Sequence, residues 1–130
     1  MFKQALNEGY SGLCITRINP QLLESRIGVG GVRYIWLSDT PIKGYLSTKD
    51  LLRLSVEAHR FLEEVERGVI LLDGFEYLCD QHSFEAALRF LQLLRERVSM
   101  GRHILLLSLS PETLERRQLM RIRRELPLKT

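Results

Sequence analysis

The chain has 130 residues, of which 45% are hydrophobic and 27% are charged, a composition typical of one soluble globular domain. No apolar run approaches the ~20 residues that a membrane-spanning helix needs, and the N-terminus lacks a signal-peptide pattern, so we expect a single cytoplasmic domain over residues 1–130. Cys14 and Cys79 share no short spacing with each other or with the three histidines, which gives no support to a disulfide framework or a zinc site.

The net charge of +3 is unevenly distributed along the chain. Residues 110–130 carry six basic and three acidic side chains, which accounts for the whole excess. Arginine outnumbers lysine by 15 to 4, and there are only two asparagines. Because low asparagine content is reported for thermophile proteins, a thermophilic source is one expectation.

The first clear elements are a strand and a capped helix. Residues 13–16 form the first predicted strand. Asn19 is a residue type that caps helices and Pro20 suits a first helical position, so a short helix is predicted over residues 21–27. Gly28 is a natural left-handed residue to end it.

A second strand and two irregular segments are also predicted. Residues 1–11 show no clear period and end in turn-forming residues. Residues 32–37 form the second strand, and residues 38–46 are the longest irregular segment.

The strongest helical pattern lies in the middle of the chain. Ser47 opens it, with Asp50 three residues later as in a capping box, and Gly68 ends it. Residues 69–73 follow as a strand that is apolar at four consecutive positions, which suits a parallel strand buried on both faces. A turn is predicted over residues 75–78.

Two further helices flank the fourth predicted strand. Ser83 caps a long helix that Gly101 ends, and residues 103–108 form the strand. Ser110 begins the cap of a last helix that ends near residue 125. Strands that alternate with helices predict an α/β fold with a parallel sheet, right-handed crossovers and helices on both faces.

Asp73 lies at the carboxyl end of the third predicted strand, where open α/β sheets bind their ligands. A P-loop NTPase also needs a glycine-rich loop with lysine after its first strand, but residues 16–20 contain neither residue type. The glycines of residues 28–31 follow a helix and precede a strand, which is the wrong order for a phosphate cradle.

Asp73 also has the position of the phosphoacceptor in a receiver-type domain, with Ser108 or Ser110 as the hydroxyl that ends the fourth strand. Such a domain needs an acidic pair after the first strand to hold magnesium, and a lysine after a fifth strand. The first strand instead ends in Thr16 and Arg17, and no fifth strand is predicted.

A rim of polar residues is nevertheless predicted at the carboxyl edge of the sheet, because parallel strands end on the same side. We interpret this rim as a candidate ligand-binding site in which capping and turn formation explain most members. No complete catalytic constellation is present, so no catalytic residue, metal or cofactor is predicted. The rim residues are Thr16, Arg17, Asn19, Asp39, Asp73, Glu76, Ser108 and Ser110.

The last helix carries a second candidate surface, rich in arginine. Basic residues attract phosphates through counterion release, but no aromatic side chain is interleaved for base stacking. A protein or anionic-surface contact is therefore favoured over nucleic acid. The surface consists of Arg116, Arg117, Arg121, Arg123 and Arg124.

Four segments resemble a known family: residues 9–20, 35–38, 69–78 and 104–107. They are similar to an archaeal family that is number eight-three-five among the domains of unknown function. Its members occur alone or attached to membrane segments and sensory modules, and look distantly similar to RecA/KaiC-type ATPases that have lost the phosphate loop. The resemblance brings no established catalytic residues.

The resemblance implies a three-layer, degenerate RecA-like fold whose four parallel strands have the order 1-4-3-2. Strand one would then lie at an edge, and Arg17 would lie two strands from Asp73. We predict a non-enzymatic regulatory or protein-interaction module in signalling. A protein partner or a second copy is expected, the latter because Phe90 and Leu93 widen the apolar stripe of the helix that Ser83 caps. The alternative is a nucleotide- or phosphoryl-binding protein around Asp73, although a cap on the turn at Phe75 is the simpler role for that residue.

Overall fold

The computed structural model describes residues 1–126 as a five-stranded parallel sheet with helices on both faces. The strands are β1 (Ser11–Thr16), β2 (Val32–Trp36), β3 (Leu46–Ser47), β4 (Gly68–Asp73) and β5 (Ile104–Ser108). The helices are α1 (Phe2–Asn7), α2 (Pro20–Ile27), α3 (Leu51–Glu64), α4 (Phe75–Gln81), α5 (Phe84–Ser99) and α6 (Arg116–Glu125), with a 3₁₀ turn at Pro111–Thr113. The predicted α/β class with a parallel sheet is confirmed.

The predicted strand number and order are wrong. The sheet has the order β3-β2-β1-β4-β5, so the first strand lies at its centre and not at an edge. A strand at the centre is buried on both faces, and the last five of the six residues of β1 are buried. The residues of β5 are partly or largely exposed although four of them are apolar, because within residues 1–126 β5 has a neighbouring strand on one side only.

Two apolar clusters cover the two faces of the sheet. The larger cluster joins the sheet to α3 and α5 through fully buried side chains such as Phe61, Leu91 and Leu72. The smaller cluster lies on the opposite face and joins Phe2 and Leu6 of α1 to the sheet, with α2 packed at its margin. Helices on both faces explain why the strands are apolar at nearly every position.

The N-terminal segment is helical, contrary to the irregular lead-in that the sequence predicted. Helix α1 has six residues, too few to show a clear period, and it depends on tertiary packing. Phe2 and Leu6 pack over Gly12 of β1, where an added Cβ would lie within 2.9 Å of both side chains. The absence of a side chain at Gly12 is therefore what lets α1 lie on the sheet.

Several helix boundaries differ from the predicted ones. Asp50, and not Ser47, caps α3, and Glu115 caps α6 in a capping box with Gln118, so Ser110 lies outside that helix. Ser47 lies instead in β3, a strand that the sequence did not predict. The position of a helix cap depends on where the backbone turns into the helix. When several neighbouring residues are of a capping type, residue type alone does not determine which of them is the cap.

The ends of three further elements were also predicted incorrectly. The predicted turn over residues 75–78 is the start of helix α4. Gly68 does not end α3, which stops at Glu64, but begins β4, and α5 stops at Ser99, before Gly101. The boundaries of α2 are confirmed, because Asn19 Oδ1 accepts from Gln21 N at 2.9 Å and Gly28 has φ +64°.

The wide apolar stripe of α5 is covered by this chain. Helix α5 packs against α3, α4, α6 and β5. Phe90 is 3% exposed and Leu93 is 36% exposed, so only the margin of the stripe reaches solvent. The stripe therefore does not require a partner chain. Across residues 1–126, no helix is both long enough and apolar enough to span a membrane.

The cap of α3 can be tested with two variants. Asp50 Oδ1 accepts from Leu52 N at 3.1 Å, so Asp50→Ala should lower the free energy of unfolding by about 1 kcal/mol. The Ser47 hydroxyl is buried without a hydrogen-bond partner among the described residues, so Ser47→Ala should cost nothing. Urea unfolding of both variants is the measurement, and a greater loss in Ser47→Ala would contradict the assignment.

The imidazole that precedes β5 should make stability depend on pH. Gly68 N donates to Nδ1 of His103 at 2.9 Å, and burial lowers the pKa of His103 below its ordinary value of 6.5. Stability is then complete above pH 6.5 and is lost as the pH falls below it, because the unfolded chain takes up the proton first. His103→Gln should reduce this slope in urea unfolding between about pH 7.5 and 5.5. His59→Gln, on an exposed face of α3, is the control that should retain it.

Candidate site at the carboxyl edge of the sheet

The centre of the carboxyl edge lies between β1 and β4. The chain leaves β1 towards β2 on one side, and leaves β4 towards β5 on the other, so the two connections diverge. Such a switch point opens a crevice in which many doubly wound proteins bind ligands. Thr16 and Asp73, the last residues of the two strands, are register partners there.

Thr16 and Asp73 form the innermost contact of this crevice. The Thr16 hydroxyl is fully buried and donates to Asp73 Oδ2 at 3.1 Å. Its oxygen also accepts from Ile18 N at 2.9 Å, which fixes the chain as it leaves β1. Asp73 does not cap α4, contrary to the prediction, because the cap position is Gly74 and no side chain bonds there.

Arg17 lies across the same crevice. Its backbone N donates to Asp73 O at 3.2 Å, and its guanidinium donates to Leu37 O at 2.5 Å. The guanidinium carbon lies 3.9 Å from the centre of the Tyr77 ring, a cation–π distance. Arg17 directly follows β1, and Asp73 ends the neighbouring strand β4, so the two residues are not two strands apart. No side-chain ion pair between them is found in the described part of the chain.

Gly74 belongs to this arrangement because a side chain at its position would not fit. It has φ +145°, and an added Cβ would lie 2.8 Å from Leu37 Cδ1 and 3.2 Å from Arg17 Cγ. The backbone that joins β4 to α4 therefore packs directly against Arg17. The residues that meet at this crevice contact one another, and we name them the Arg17 cluster: Thr16, Arg17, Leu37, Asp73, Gly74 and Tyr77.

A second group of predicted rim residues lies beside the Arg17 cluster. Glu76 Oε1 accepts from Ser110 N at 3.4 Å, and Ser108 is the register partner of Asp73. Burial raises the pKa of Glu76, and the nearby carboxylates of Asp73 and Glu112 raise it further, against the opposing effect of backbone hydrogen bonds. The carboxyl end of β5 is therefore an acidic corner.

Two predicted rim residues are engaged elsewhere. Asn19 is exposed and caps α2. Asp39 is 74% exposed and pairs with Lys49 at 2.9 Å. In residues 1–126, no group of three or more His, Cys, Asp or Glu side chains is arranged to hold a metal ion.

The arginines of α6 divide into two sets. The Arg121 guanidinium forms a bidentate hydrogen bond with the Glu85 carboxylate, and it lies 5.4 Å from the Phe84 ring centre. Glu125 accepts from Gln92 at 2.9 Å and from Arg95 at 3.1 Å, which also holds α6 on α5.

The second set forms one exposed face of α6. With 3.6 residues per turn, these positions lie within about 120° around the helix, opposite the buried Ile122. None of its arginines forms an ion pair within residues 1–126, and Met120 at its centre is 49% exposed. We name it the α6 arginine face, and its members are Arg116, Arg117, Met120, Arg123 and Arg124.

Sequence reasoning missed three residues that these sites depend on. Leu37 and Tyr77 were read only as strand and turn residues, and Met120 was not singled out. Spacing alone identifies Met120, because it is four residues after Arg116 and four before Arg124. No sequence signal identifies Leu37, since its backbone carbonyl is what Arg17 contacts.

The fold and the site define a doubly wound α/β protein in which the residues that line the switch-point crevice contact one another. A family model described as "Protein of unknown function (DUF835)" matches residues 1–126, and the chain belongs to this family. The predicted family is thereby confirmed. Comparison with curated proteins finds no match.

The packing around Gly74 can be tested with a pair of glycine variants. Gly74→Ala should lower the free energy of unfolding by about 1–3 kcal/mol, because the new methyl group meets Leu37 and Arg17 at a strained backbone position. Gly30→Ala is the matched control, since nothing lies within 4 Å of its added Cβ, and its effect should stay within about 0.5 kcal/mol. Equal stability of the two variants in chemical denaturation would show that the crevice is not tightly packed.

Proposed function

We propose that the protein is a non-enzymatic interaction module that binds an acidic protein partner through the α6 arginine face. The observation that supports this most directly is that the arginines of α6 differ in their contacts. Arg121 is committed to Glu85 within the fold, whereas Arg116, Arg117, Arg123 and Arg124 form no ion pairs within residues 1–126. Four like charges on one face repel each other and contribute no stability that would explain their presence.

The chemistry of the face favours a protein over nucleic acid. Arginine forms two-pronged hydrogen bonds with carboxylates, and both arginine and methionine are enriched in protein interfaces. Met120 supplies an apolar centre within a charged rim, which is the usual anatomy of such an interface. No aromatic side chain lies on the face to stack with a base.

The Arg17 cluster supports the non-enzymatic part of the proposal. Thr16 and Asp73 bond to each other, and the guanidinium of Arg17 is engaged by a carbonyl and a ring. A ligand at the switch point would have to displace these contacts. A regulatory role in signalling, an archaeal and thermophilic source, and a cytoplasmic location remain predictions from the sequence.

The α6 arginine face can be tested by photo-crosslinking. A benzoylphenylalanine in place of Met120 should form one discrete protein adduct in extracts of the source organism, and the identified partner should have an acidic surface. Its purified complex should weaken roughly tenfold to a hundredfold when Arg116, Arg117, Arg123 and Arg124 are changed to Gln, because each exposed ion pair contributes about 0.2–1 kcal/mol.

A matched control removes the same charge from scattered positions. Lys3, Arg26, Lys43 and Arg89 are exposed, lie on separate parts of the chain and have no ion pair within residues 1–126. Changing these four to Gln should leave the adduct and the affinity intact. Adducts with nucleic acid, or equal loss in both variants, would contradict the proposed partner.

The alternative, a nucleotide- or phosphoryl-binding protein around Asp73, predicts a different result. A ligand at one hundred times its dissociation constant stabilises its protein by ~2.7 kcal/mol, which a thermal shift detects readily. With ATP, GTP or cyclic nucleotides in the presence of magnesium, we expect no shift, because Thr16, Arg17 and Asp73 already make contacts within the protein. A reproducible shift that Asp73→Asn abolishes would favour the alternative.

A further inference from the structure

The outer edge of β5 is an unprotected strand edge. Within residues 1–126, β5 pairs only with β4. In a parallel sheet successive residues direct their backbone groups to alternate sides, so β5 presents N–H and C=O groups outward along its length. No charged residue, proline or bulge interrupts the four residues Ile104, Leu105, Leu106 and Leu107.

The opposite edge of the sheet is different. Strand β3 has only two residues, and short edge strands are one of the ways in which proteins prevent unwanted strand pairing. Strand β5 is five residues long and is flanked by Arg102 and His103, which lie before the strand and not within it. Of the two edges, only that of β5 is long and apolar enough to accept another strand.

The side chains of β5 restrict what such a strand can be. Leu105 and Leu107 pack against the cluster that contains α3 and α5, whereas Ile104 and Leu106 pack against the cluster on the opposite face. All four are partly exposed. An added strand must therefore be apolar on both faces, and β5 of a second copy has this property at every one of these positions.

The charges at the two ends of β5 are complementary. Arg102 is exposed before the strand and forms no ion pair in the described part of the chain. Glu76 and Glu112 lie together at the other end, near enough for Glu112 to affect the pKa of Glu76. An antiparallel neighbour brings its Arg102 to this acidic corner, and a parallel neighbour does not.

We propose that two copies of this chain associate through antiparallel pairing of β5, forming one continuous ten-stranded sheet. A two-fold axis perpendicular to the sheet keeps equivalent faces together, so Leu105 lies opposite Leu107 of the second copy when the axis passes through Leu106. Each Arg102 then lies opposite Ser110 of the second copy, within reach of Glu112. The proposal depends on β5 and on the charges at its two ends, Arg102 and Glu112, and is independent of the α6 arginine face.

Sedimentation and light scattering across concentrations up to about 1 mM test the association. The wild-type chain should reach twice its mass of 15.1 kDa. Arg102→Glu and Glu112→Arg should each weaken the dimer at least tenfold, because each change places two like-charged contacts in the symmetric interface. The double variant should restore it, since the charges are then exchanged.

Two further measurements make the result decisive. Arg26→Glu changes the same charge on an exposed position of α2 and should leave the dimer unaffected. Hydrogen exchange should show slower exchange of the β5 amides as the concentration of wild-type protein rises. A monomer throughout the concentration range overturns the proposal, and so does a dimer that neither Arg102→Glu nor Glu112→Arg weakens.

Discussion

The pairing of β1 with β4 is the interaction on which the rest of the structure depends. These strands are register partners over six positions, and their last residues join through the Thr16 hydroxyl and the Asp73 carboxylate. The hydroxyl is fully buried, so leaving it unpaired would cost free energy, and Asp73 and Ile18 together satisfy it. This contact aligns the two strands, and their connections then diverge to the opposite halves of the sheet.

The same contact determines what the carboxyl edge can do. Because β1 and β4 end side by side, the chain beyond them must leave in two directions, and this creates a crevice. In this protein Arg17 lies in that crevice with its charge engaged by Leu37 O and the Tyr77 ring. The close approach of the backbone at Gly74 leaves no room for a side chain at that position. We therefore expect function on the outer surface of the protein, at α6 and at β5.

The sequence predicted most of the helices and strands, but it did not predict which strands lie next to each other. Apolar runs located four of the strands. The Asn19–Pro20 pair located the cap of α2 correctly, because this cap depends on adjacent residues only. Strand β3 and helices α1 and α4 were missed, since two, six and seven residues are too few to show a clear period. The predicted strand order was inferred from a resemblance and was wrong. The sequence itself does not supply the order, because an apolar run does not distinguish a central strand from an exposed edge strand such as β5.

For the candidate site, the residue types were predictable and their contacts were not. The sequence by itself determined an α/β domain, an aspartate at the end of a buried strand and an arginine-rich last helix, because periodicity and composition are local properties. Only the tertiary structure decided that the Arg17 guanidinium contacts Leu37 O and the Tyr77 ring beside Asp73. It also decided that, within residues 1–126, Arg121 is the one predicted arginine of α6 with an ion pair and β5 pairs with one strand only. These outcomes depend on which strands become neighbours, and that choice is made by packing between residues far apart in the chain.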